Sequence, residues 1–429
     1  MRILIVGATG FIGSAAAARL SAQGHQIVAV SRGEQHLGLM PASIVTRDVA
    51  EATDPADWLP HLAGVDAVVN CAGTLQDGPR NSTAGVHVEG PVALFKACEM
   101  TGIRRIVHLS AVGVDRVTPT AFSRTKLAGD QALMALNLDW VILRPSVVVG
   151  RGAYGGSALL RGLAALPIMP LFPAAGALQL VHLDDLVAAI EFFIQPHAPS
   201  RIAIDVVGPR RFTFAGAVRL FRRWLRWPEV PAVRLPSWAA NAAFPLGDLV
   251  AFLGWTPPVR STARREIMRG AVGDPAQLPE LTGLKPKDIE AGMAAEPASV
   301  QERWFARLYL LKPLVFAVFS LFWIATGLVS LGPGWEVGMS LMREGGASET
   351  VGAFAVIAGA LADIAIGLAI AYRPTTRYGL YAALLISLSY AAIGTWLVPR
   401  LWFDPLGPML KIWPIMALNL MALAIHEDR

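Results

Sequence analysis

A chain of 429 residues is long enough for two or more domains, and its apolar fraction of 54% exceeds that of ordinary soluble proteins. The formal net charge of +5 comes without a dense run of Lys and Arg, which argues against a nucleic-acid groove. The two cysteines, Cys71 and Cys98, form neither a disulfide framework nor a Cys/His metal pattern, so we expect a reducing compartment and no metal. The apolar excess predicts that part of the chain lies in lipid.

Residues 1 to about 150 alternate short β-rich runs with stretches of helical spacing, which predicts a parallel sheet with crossover helices. The strand candidates are RILIV, QIVAV, DAVVN, RIVHLS and WVILRP. Residues from about 151 to 300 are richer in Pro, Trp and Arg. We expect an α/β doubly wound parallel sheet in residues 1–210 and a small covering subdomain in residues 211–304. The start MRILIVGATG lacks the segments of a signal peptide, so we expect this domain in the cytoplasm.

Three glycines at three-residue spacing follow the first predicted strand, in the run GATGFIG. They stand between that strand and the helical run SAAAARL, which is the context that a dinucleotide-binding turn requires. Glycine lets the backbone approach a pyrophosphate closely, and the amides and dipole of the helix N-terminus favour its charge. The candidate cofactor contacts of this turn are Gly7, Thr9, Gly10, Phe11, Ile12 and Gly13.

The end of the second predicted strand bears on which nicotinamide cofactor is preferred. NAD-specific sites place a carboxylate there, whereas this chain has Ser31 and Arg32. Arginine suits a phosphate, which predicts a preference for NADP(H), with NAD(H) as the second candidate; alternatively, Arg32 is an ordinary surface residue. The ends of the next two strands offer contacts to adenine and ribose, or simple turn residues. These positions are Asp48, Val49, Cys71, Ala72 and Gly73.

Six stretches resemble the short-chain dehydrogenase/reductase superfamily, in its atypical or extended branch, which includes the NAD(P)-binding accessory subunit of complex I. They are GATGFIG, NCAG, HLSAVGV, the helix of Lys126, LRPSVVVG and VHLDDL, within about the first 210 residues. The resemblance implies a Rossmann domain, a nicotinamide cofactor, and a serine followed by a Tyr-x-x-x-Lys pair. Ser110 and Lys126 match as catalytic candidates, and Lys126 is also a candidate ribose contact, but Phe122 fills the tyrosine position.

Phe122 removes the usual proton donor. In the family's arrangement the lysine lies one helical turn from the tyrosine and lowers the pKa of its phenol, whereas phenylalanine has no proton to give. Either the protein transfers a hydride to an acceptor that needs no proton from this position, such as a quinone or a flavin-like molecule, or it binds the cofactor without turnover. Tyr154, in the loop GRGAYGG, is expected to pack on the surface; the alternative is a swing toward the nicotinamide.

From Pro313 onward, four apolar segments each approach the ~20 residues needed to cross a bilayer. They lie in PLVFAVFSLFWIATGLVSL, VGAFAVIAGALADIAIGLAIAY, YGLYAALLISLSYAAIGTWLV and PMLKIWPIMALNLMALAI. Basic residues precede the first segment and lie between the second and third, namely Arg303, Arg307, Lys312, Arg373 and Arg377. We therefore expect an all-α, four-helix transmembrane domain in residues 305–429 of a multi-pass protein of the cytoplasmic (inner) membrane, with the Rossmann domain and both termini cytoplasmic.

The C-terminal part is similar to the DoxX-like family of four-helix membrane proteins, through LKPLVFAVFSLFWIATGLVSL, GALADIAIGL and DPLGPMLKIWP. That resemblance covers roughly residues 305–429 and implies no catalytic residues. Asp363 lies within the second predicted span, where an unpaired carboxylate is costly. Ser387, Tyr390 and Thr395 of the third span are candidate partners, in either a functional pair or a structural hydrogen bond between helices.

The run FTFAGAVRLFRRWLRW predicts an amphipathic helix with one basic face. Its arginines are Arg219, Arg222, Arg223 and Arg226. The helix lies either on an anionic bilayer surface or within the covering subdomain, with its charged face in water.

These patterns together predict a membrane-anchored, NAD(P)H-binding oxidoreductase that acts on a lipophilic, quinone- or lipid-like acceptor. The alternative is a non-catalytic NADP(H)-binding sensor or assembly factor for a membrane partner. The expected partners are the lipid bilayer and either a lipophilic small molecule or a membrane protein, with no nucleic acid.

Overall fold

A computed structural model of the chain describes residues 1–33, 38, 40–79, 81–172, 174–234 and 236–426. The chain forms two compact units. The first consists of Met1–Asp248 and Pro258–Arg307, and the second of Leu249–Pro257 and Leu308–Arg429. Most of residues 211–304 thus lie in the same unit as the sheet.

The first unit contains the five strands predicted from RILIV, QIVAV, DAVVN, RIVHLS and WVILRP, among the twelve strands of the described residues. The strands are β1 (Arg2–Val6), β2 (Gln26–Ser31), β3 (Ala42–Thr46), β4 (Ala67–Asn70), β5 (Arg105–Leu109), β6 (Asp139–Pro145), β7 (Val147–Val149), β8 (Met169–Leu171), β9 (Leu178–His182), β10 (Ile202–Val206), β11 (Arg211–Phe212) and β12 (Ala232–Arg234). Seven of them form one parallel sheet in the order β10-β6-β5-β4-β1-β2-β3. The chain reverses its winding direction beside β1, which confirms the doubly wound class.

Helices cover both faces of this sheet. Those of the first unit are α1 (Phe11–Ala22), α2 (Gly90–Thr101), α3 (Ala121–Met134), α4 (Gly155–Ala164), α5 (Leu183–Phe193), α6 (Phe214–Trp224), α7 (Ser237–Phe252, which ends in the second unit), α8 (Ser261–Arg269), α9 (Gln277–Thr282) and α10 (Ile289–Ala295). Alternate residues of β1 point to opposite faces, so Ile3 and Ile5 pack against α1 and α5 whereas Leu4 and Val6 face the core under α2 and α3.

Helix α6 is part of the folded core and does not offer its apolar face to a bilayer. Phe214, Val218 and Phe221 are buried, and the guanidinium of Arg222 is buried as well. Arg222 donates hydrogen bonds to the backbone oxygens of Ala164, the last residue of α4, and of Leu166, which follows that helix. The alternative that α6 lies on the membrane surface is therefore wrong, because its apolar residues are already used in packing.

The second unit contains three helices long and apolar enough to cross a membrane, within the described residues. They are α11 (Val300–Leu331, which begins in the first unit), α13 (Glu349–Ala371) and α14 (Thr376–Leu397), with the shorter α12 (Trp335–Glu344) after the first. The fourth predicted span forms α15 (Ile412–His426), a helix of only 15 residues. At 1.5 Å per residue it is about 22 Å long, short of the ~30 Å hydrocarbon core, because the residues before it form turns.

Four segments of the second unit meet at one end of this helical bundle. Arg373, between α13 and α14, donates to the backbone oxygen of His426 at the end of α15, at 2.8 Å. The His426 ring lies 5.9 Å from that of Phe316, at the middle of α11. Trp255, from the short segment Leu249–Pro257, lies 4.8 Å from the same Phe316 ring. The ends of α13 and α15 and the middle of α11 therefore lie close together.

Candidate functional site

The glycine turn after β1 has the backbone geometry of a phosphate cradle. Gly7 has φ of 74°, and a Cβ on Gly13 would lie only 2.2 Å from the Gly7 carbonyl oxygen. A side chain at either position is therefore unfavourable. Gly10 is the N-cap of α1, and as a glycine it has no side chain to accept a hydrogen bond from the first turn. The amides of Phe11 and Ile12 therefore remain available to an anion. The residues present fit a dinucleotide pyrophosphate.

Two further segments pack against this turn. A Cβ on Gly7 would lie 3.1 Å from the backbone nitrogen of Ala72, so the loop after β4 runs directly beside the glycine turn. The ring of Phe11 stacks with that of the exposed Tyr154 at 6.4 Å between centroids. Tyr154 is therefore packed on the surface of the cradle, as expected, while Thr9 and Ile12 are half-buried.

The predicted adenine and ribose positions lie at neighbouring strand ends. Buried Ser31 donates to the Gly33 carbonyl oxygen at 2.8 Å, and exposed Arg32 donates to Asn81 Oδ1 at 2.8 Å. Asp48 Oδ1 accepts from the Ala50 amide at 2.9 Å, which is the turn contact that the sequence offered as the alternative. Val49, predicted together with Asp48 as a cofactor contact, is buried beneath α2.

Lys126 is tied to two strand ends. Its Nζ donates to the carbonyl oxygen of Leu109 at 2.7 Å and to that of Ala72 at 3.3 Å. A Cβ on Gly73 would lie 3.5 Å from the same nitrogen, so Lys126 and the Cys71–Gly73 loop come together. Burial lowers the pKa of Lys126 to about 8, against the opposing effects of Asp130 and Cys71. The third ammonium proton donates to no acceptor within the described residues.

Phe122 packs against a histidine that the sequence did not single out. The rings of His87 and Phe122 lie 5.6 Å apart, edge to face. The Thr125 hydroxyl donates to the Ala121 carbonyl oxygen, so His87 donates from Nδ1 to Thr125 Oγ1 at 2.8 Å, and His87 Nε2 accepts from the Thr74 amide. Burial, assisted by Lys126, lowers the pKa of His87 to about 2. This ring is neutral at physiological pH and does not replace the missing acid.

Ser110 belongs to a buried polar network. Its Oγ donates to Asp130 Oδ2 at 2.9 Å, and Arg144 donates to the same oxygen from Nε at 3.2 Å and from Nη2 at 3.1 Å. His108 Nε2 lies 3.6 Å from Asp130 Oδ1, and Asn70 Nδ2 lies 3.1 Å from His108 Nδ1. The Ser110 hydroxyl is thus directed at Asp130. Asp130 lies four residues after Lys126 on α3, which was the only sequence signal for its position.

Three side chains near the start of α5 come close enough to suggest a metal site. His182, Asp184 and Glu296 have potential ligand atoms within 4.8 Å of one another. His182 is the N-cap of α5, and its Nδ1 accepts from the Asp184 amide. The Lys287 ammonium already lies 3.7 Å from Asp184 Oδ2. We assign no metal to this group, because a lysine supplies the countercharge.

The carboxylate predicted within a span is paired. Asp363 on α13 is buried, and its Oδ1 accepts from the Tyr390 hydroxyl on α14 at 2.9 Å. Ser387, another candidate partner, instead donates to the Ala383 carbonyl oxygen of its own helix, and so does Thr395 to Ala391. Tyr390 is the partner that the structure identifies.

Comparison with known proteins agrees with the two units. Residues 7–160 match an NAD(P)H-binding family and residues 320–420 match the DoxX-like family. An uncharacterized protein of Mycobacterium tuberculosis is 28% identical over 218 residues, which is 50% of this chain and only 22% of that protein. The sterol demethylase protein B of Methylococcus capsulatus is 24% identical over 71% of this chain and 99% of that protein. The ceramide reductase of Caulobacter vibrioides is 23% identical over 66% and 89%.

Solved structures show the same fold. The Bordetella bronchiseptica enzyme WbmG, in complex with NAD and UDP, superposes with a TM-score of 0.53 at 19% identity, over 69% of this chain and 94% of that one. Reductases among the relatives and the matched NAD(P)H-binding family support a nicotinamide cofactor and an oxidoreductase. The chain therefore combines an NAD(P)-binding Rossmann domain, like that of the short-chain dehydrogenases/reductases, with a C-terminal DoxX-like membrane domain.

Proposed function

We propose that this protein is a membrane-anchored oxidoreductase that passes a hydride from NADPH to a lipophilic, quinone- or lipid-like acceptor. The observation that carries the proposal is the combination of a complete cofactor cradle with Phe122 at the proton donor's position. In this proposal Lys126 holds the ribose hydroxyls. His87, beside Phe122, is not protonated at physiological pH, and it already donates its one N–H to Thr125. The site is equipped for hydride transfer and lacks the usual acid.

A quinone suits these groups because its reduction needs no protein acid at the point of transfer. The nicotinamide supplies one hydride, which is two electrons and one proton. The acceptor becomes a hydroquinone anion, and it takes its second proton from water. The protein's own residues then need only bind and orient the two reactants.

Two relatives favour a lipophilic substrate. The sterol demethylase protein B and the ceramide reductase are named for lipid substrates, and the alignments span most of both proteins. The DoxX-like domain brings the cofactor domain to the bilayer in which such molecules dissolve. We place the cofactor domain and both termini on the cytoplasmic side. The contact of Arg373 with His426 supports this, since it puts the end of α15 on the same side as the basic α13–α14 connection.

We propose NADPH over NADH because Arg32 stands at the end of β2. The guanidinium is exposed there and suits a 2′-phosphate. A charge-assisted hydrogen bond contributes about 1.5–3 kcal/mol, so Arg32→Ala is expected to weaken NADPH binding roughly 10- to 100-fold while leaving NADH binding unchanged. Tighter binding of NADH than of NADPH by the unaltered protein would refute the preference.

A binding-only role is the second candidate, and one observation favours it. The hydroxyl of Ser110 is engaged with Asp130, so neither this serine nor Phe122 offers a proton to a substrate carbonyl. In that case the protein is a sensor of NADP(H) or an assembly factor for a membrane partner.

The deciding experiment follows NADPH absorbance with the full chain in lipid nanodiscs and a short-chain quinone. We expect quinone-dependent oxidation that is lost in Lys126→Met. Lys96→Met, at an exposed position on α2, is the matched control and should keep full activity. Cofactor binding without oxidation in the unaltered protein would support the binding-only role.

A further inference from the structure

Helix α7 carries an apolar stripe that the fold leaves exposed. Trp238, Leu246, Leu249 and Phe252 retain 73%, 60%, 65% and 78% of their accessible surface. At 100° per residue these four positions fall within an arc of about 120° on one side of the helix. Scattered apolar residues on a surface are ordinary, whereas four large ones in register form a patch.

The opposite side of α7 is packed. Phe244 and Ala251 are buried, and a Cβ on Gly247 would lie only 1.7 Å from the Val259 carbonyl oxygen. Asp248 is the one ionisable residue of α7. It lies at the edge of the stripe, one turn before Phe252, and its Oδ1 accepts from Arg260 Nε at 3.1 Å. The helix therefore has two apolar sides, of which the protein covers one. An uncharged second side requires an apolar environment from elsewhere.

The segment that follows this stripe is hydrogen-bonded to residues at the end of a membrane span. The Leu253 carbonyl oxygen accepts from the Arg373 amide at 2.9 Å, and Trp255 Nε1 donates to the Ala371 carbonyl oxygen at 2.7 Å. Ala371 is the last residue of α13. The guanidinium of Arg373 lies 5.2 Å above the Trp255 ring. Tryptophan and arginine at the end of a span mark the level of the lipid headgroups.

We infer that α7 is an interfacial helix whose Trp238–Phe252 stripe is inserted into the bilayer surface. Leu249 and Phe252 belong to the same unit as the spanning helices, and Leu253, directly after Phe252, is hydrogen-bonded beside the end of α13. An uncharged stripe with Trp at one end and Phe at the other fits the boundary between headgroups and acyl chains. The stripe is a lipid contact beyond the spanning helices, and it does not depend on the proposed redox activity.

Site-directed spin labelling in nanodiscs tests this placement directly. Leu249→Cys and Phe252→Cys are made in the full chain and labelled with a nitroxide; both positions are exposed, so folding is expected to tolerate them. Burial raises the pKa of both native thiols, Cys71 and Cys98, to about 12, which keeps them unreactive toward the reagent at neutral pH. Lys96→Cys on α2 is the water-exposed control.

The readout is collision of the label with oxygen, which concentrates in lipid, or with a water-soluble nickel chelate. We expect labels at both stripe positions to be several-fold more accessible to oxygen than to the chelate, with the reverse at position 96. Chelate accessibility at both stripe positions would overturn the inference. Dipolar broadening between labels would overturn it too, because it would show that a second copy of the chain covers the stripe.

Discussion

The Ser110→Ala substitution is expected to loosen the buried network around Asp130. The Ser110 hydroxyl donates to Asp130 Oδ2 at 2.9 Å, and Arg144 supplies two further hydrogen bonds to that oxygen. Asp130 is fully buried, so water does not replace the lost donor. A hydrogen bond to a charged group contributes about 1.5–3 kcal/mol; because Arg144 remains, we expect a loss near the lower end, about 1.5–2 kcal/mol.

The penalty has a defined pH dependence. Burial raises the pKa of Asp130, and the Ser110 and Arg144 contacts oppose that rise. Because the pKa of Asp130 is higher in the folded than in the unfolded chain, its contribution to the free energy of unfolding is greatest at low pH. That contribution is lost as pH rises through the folded-state pKa. Alanine removes a donor that stabilises the carboxylate, so the penalty should be larger at about pH 7.5 than at about pH 4.5.

Hydrogen exchange of the full chain in nanodiscs measures this effect locally. In peptides from β5 and α3, about 1.5–2 kcal/mol corresponds to roughly 10- to 30-fold faster exchange. Ser146→Ala is the matched control, because the Ser146 hydroxyl is buried without a hydrogen-bond partner among the described residues, and its removal should cost nothing. Equal exchange rates in the two variants would refute the account of the Asp130 network.

Three further predictions concern the site and the membrane domain. Phe122→Tyr restores a phenol one turn from Lys126, so we expect it to add reduction of simple carbonyls, with a rate gain of roughly 100-fold or more over the unaltered protein; no gain would show that the phenol is misplaced. The pKa of Lys126 is lowered to about 8, so the lysine loses its third proton above that pH, and NADPH affinity should then fall by roughly tenfold. Lys126→Arg stays charged and should abolish this fall in affinity. The same titration should make the first unit more stable as pH rises from about 8 toward the ordinary lysine pKa of ~10.4. Asp363→Asn keeps an acceptor for the Tyr390 hydroxyl and should leave thermal stability within about 1 kcal/mol, whereas Asp363→Leu should lose about 1–3 kcal/mol; a loss of quinone reduction in a stable Asp363→Asn protein would give the carboxylate a chemical role.

Local patterns in the sequence were sufficient for the sheet and for much of the cradle. Strands such as β1 and β4 are continuous apolar runs because both of their faces are covered, and Gly7 and Gly13 are spaced for one tight turn. The turn contact of Asp48 was open between two interpretations, and the structure shows that contact.

The parts that escaped prediction depend on residues far apart in the chain. The contact between His87 and Thr125 joins positions 38 residues apart, and that between Ser110 and Asp130 joins positions 20 apart. Arg222 falls on the basic face of an amphipathic pattern. It is nevertheless buried, because backbone oxygens 56 and 58 residues earlier accept hydrogen bonds from its guanidinium. Periodicity carries no information about such partners.

The contact between Arg373 and His426 bears on the order in which the membrane domain is assembled. These residues are 53 positions apart. A ribosome makes the chain from its N-terminus, so α11, α13 and α14 are synthesised before α15, which carries His426. The bundle can close at that end only after α15 has been synthesised. A version shortened before α15 would be left with an open bundle, a natural substrate for membrane quality control.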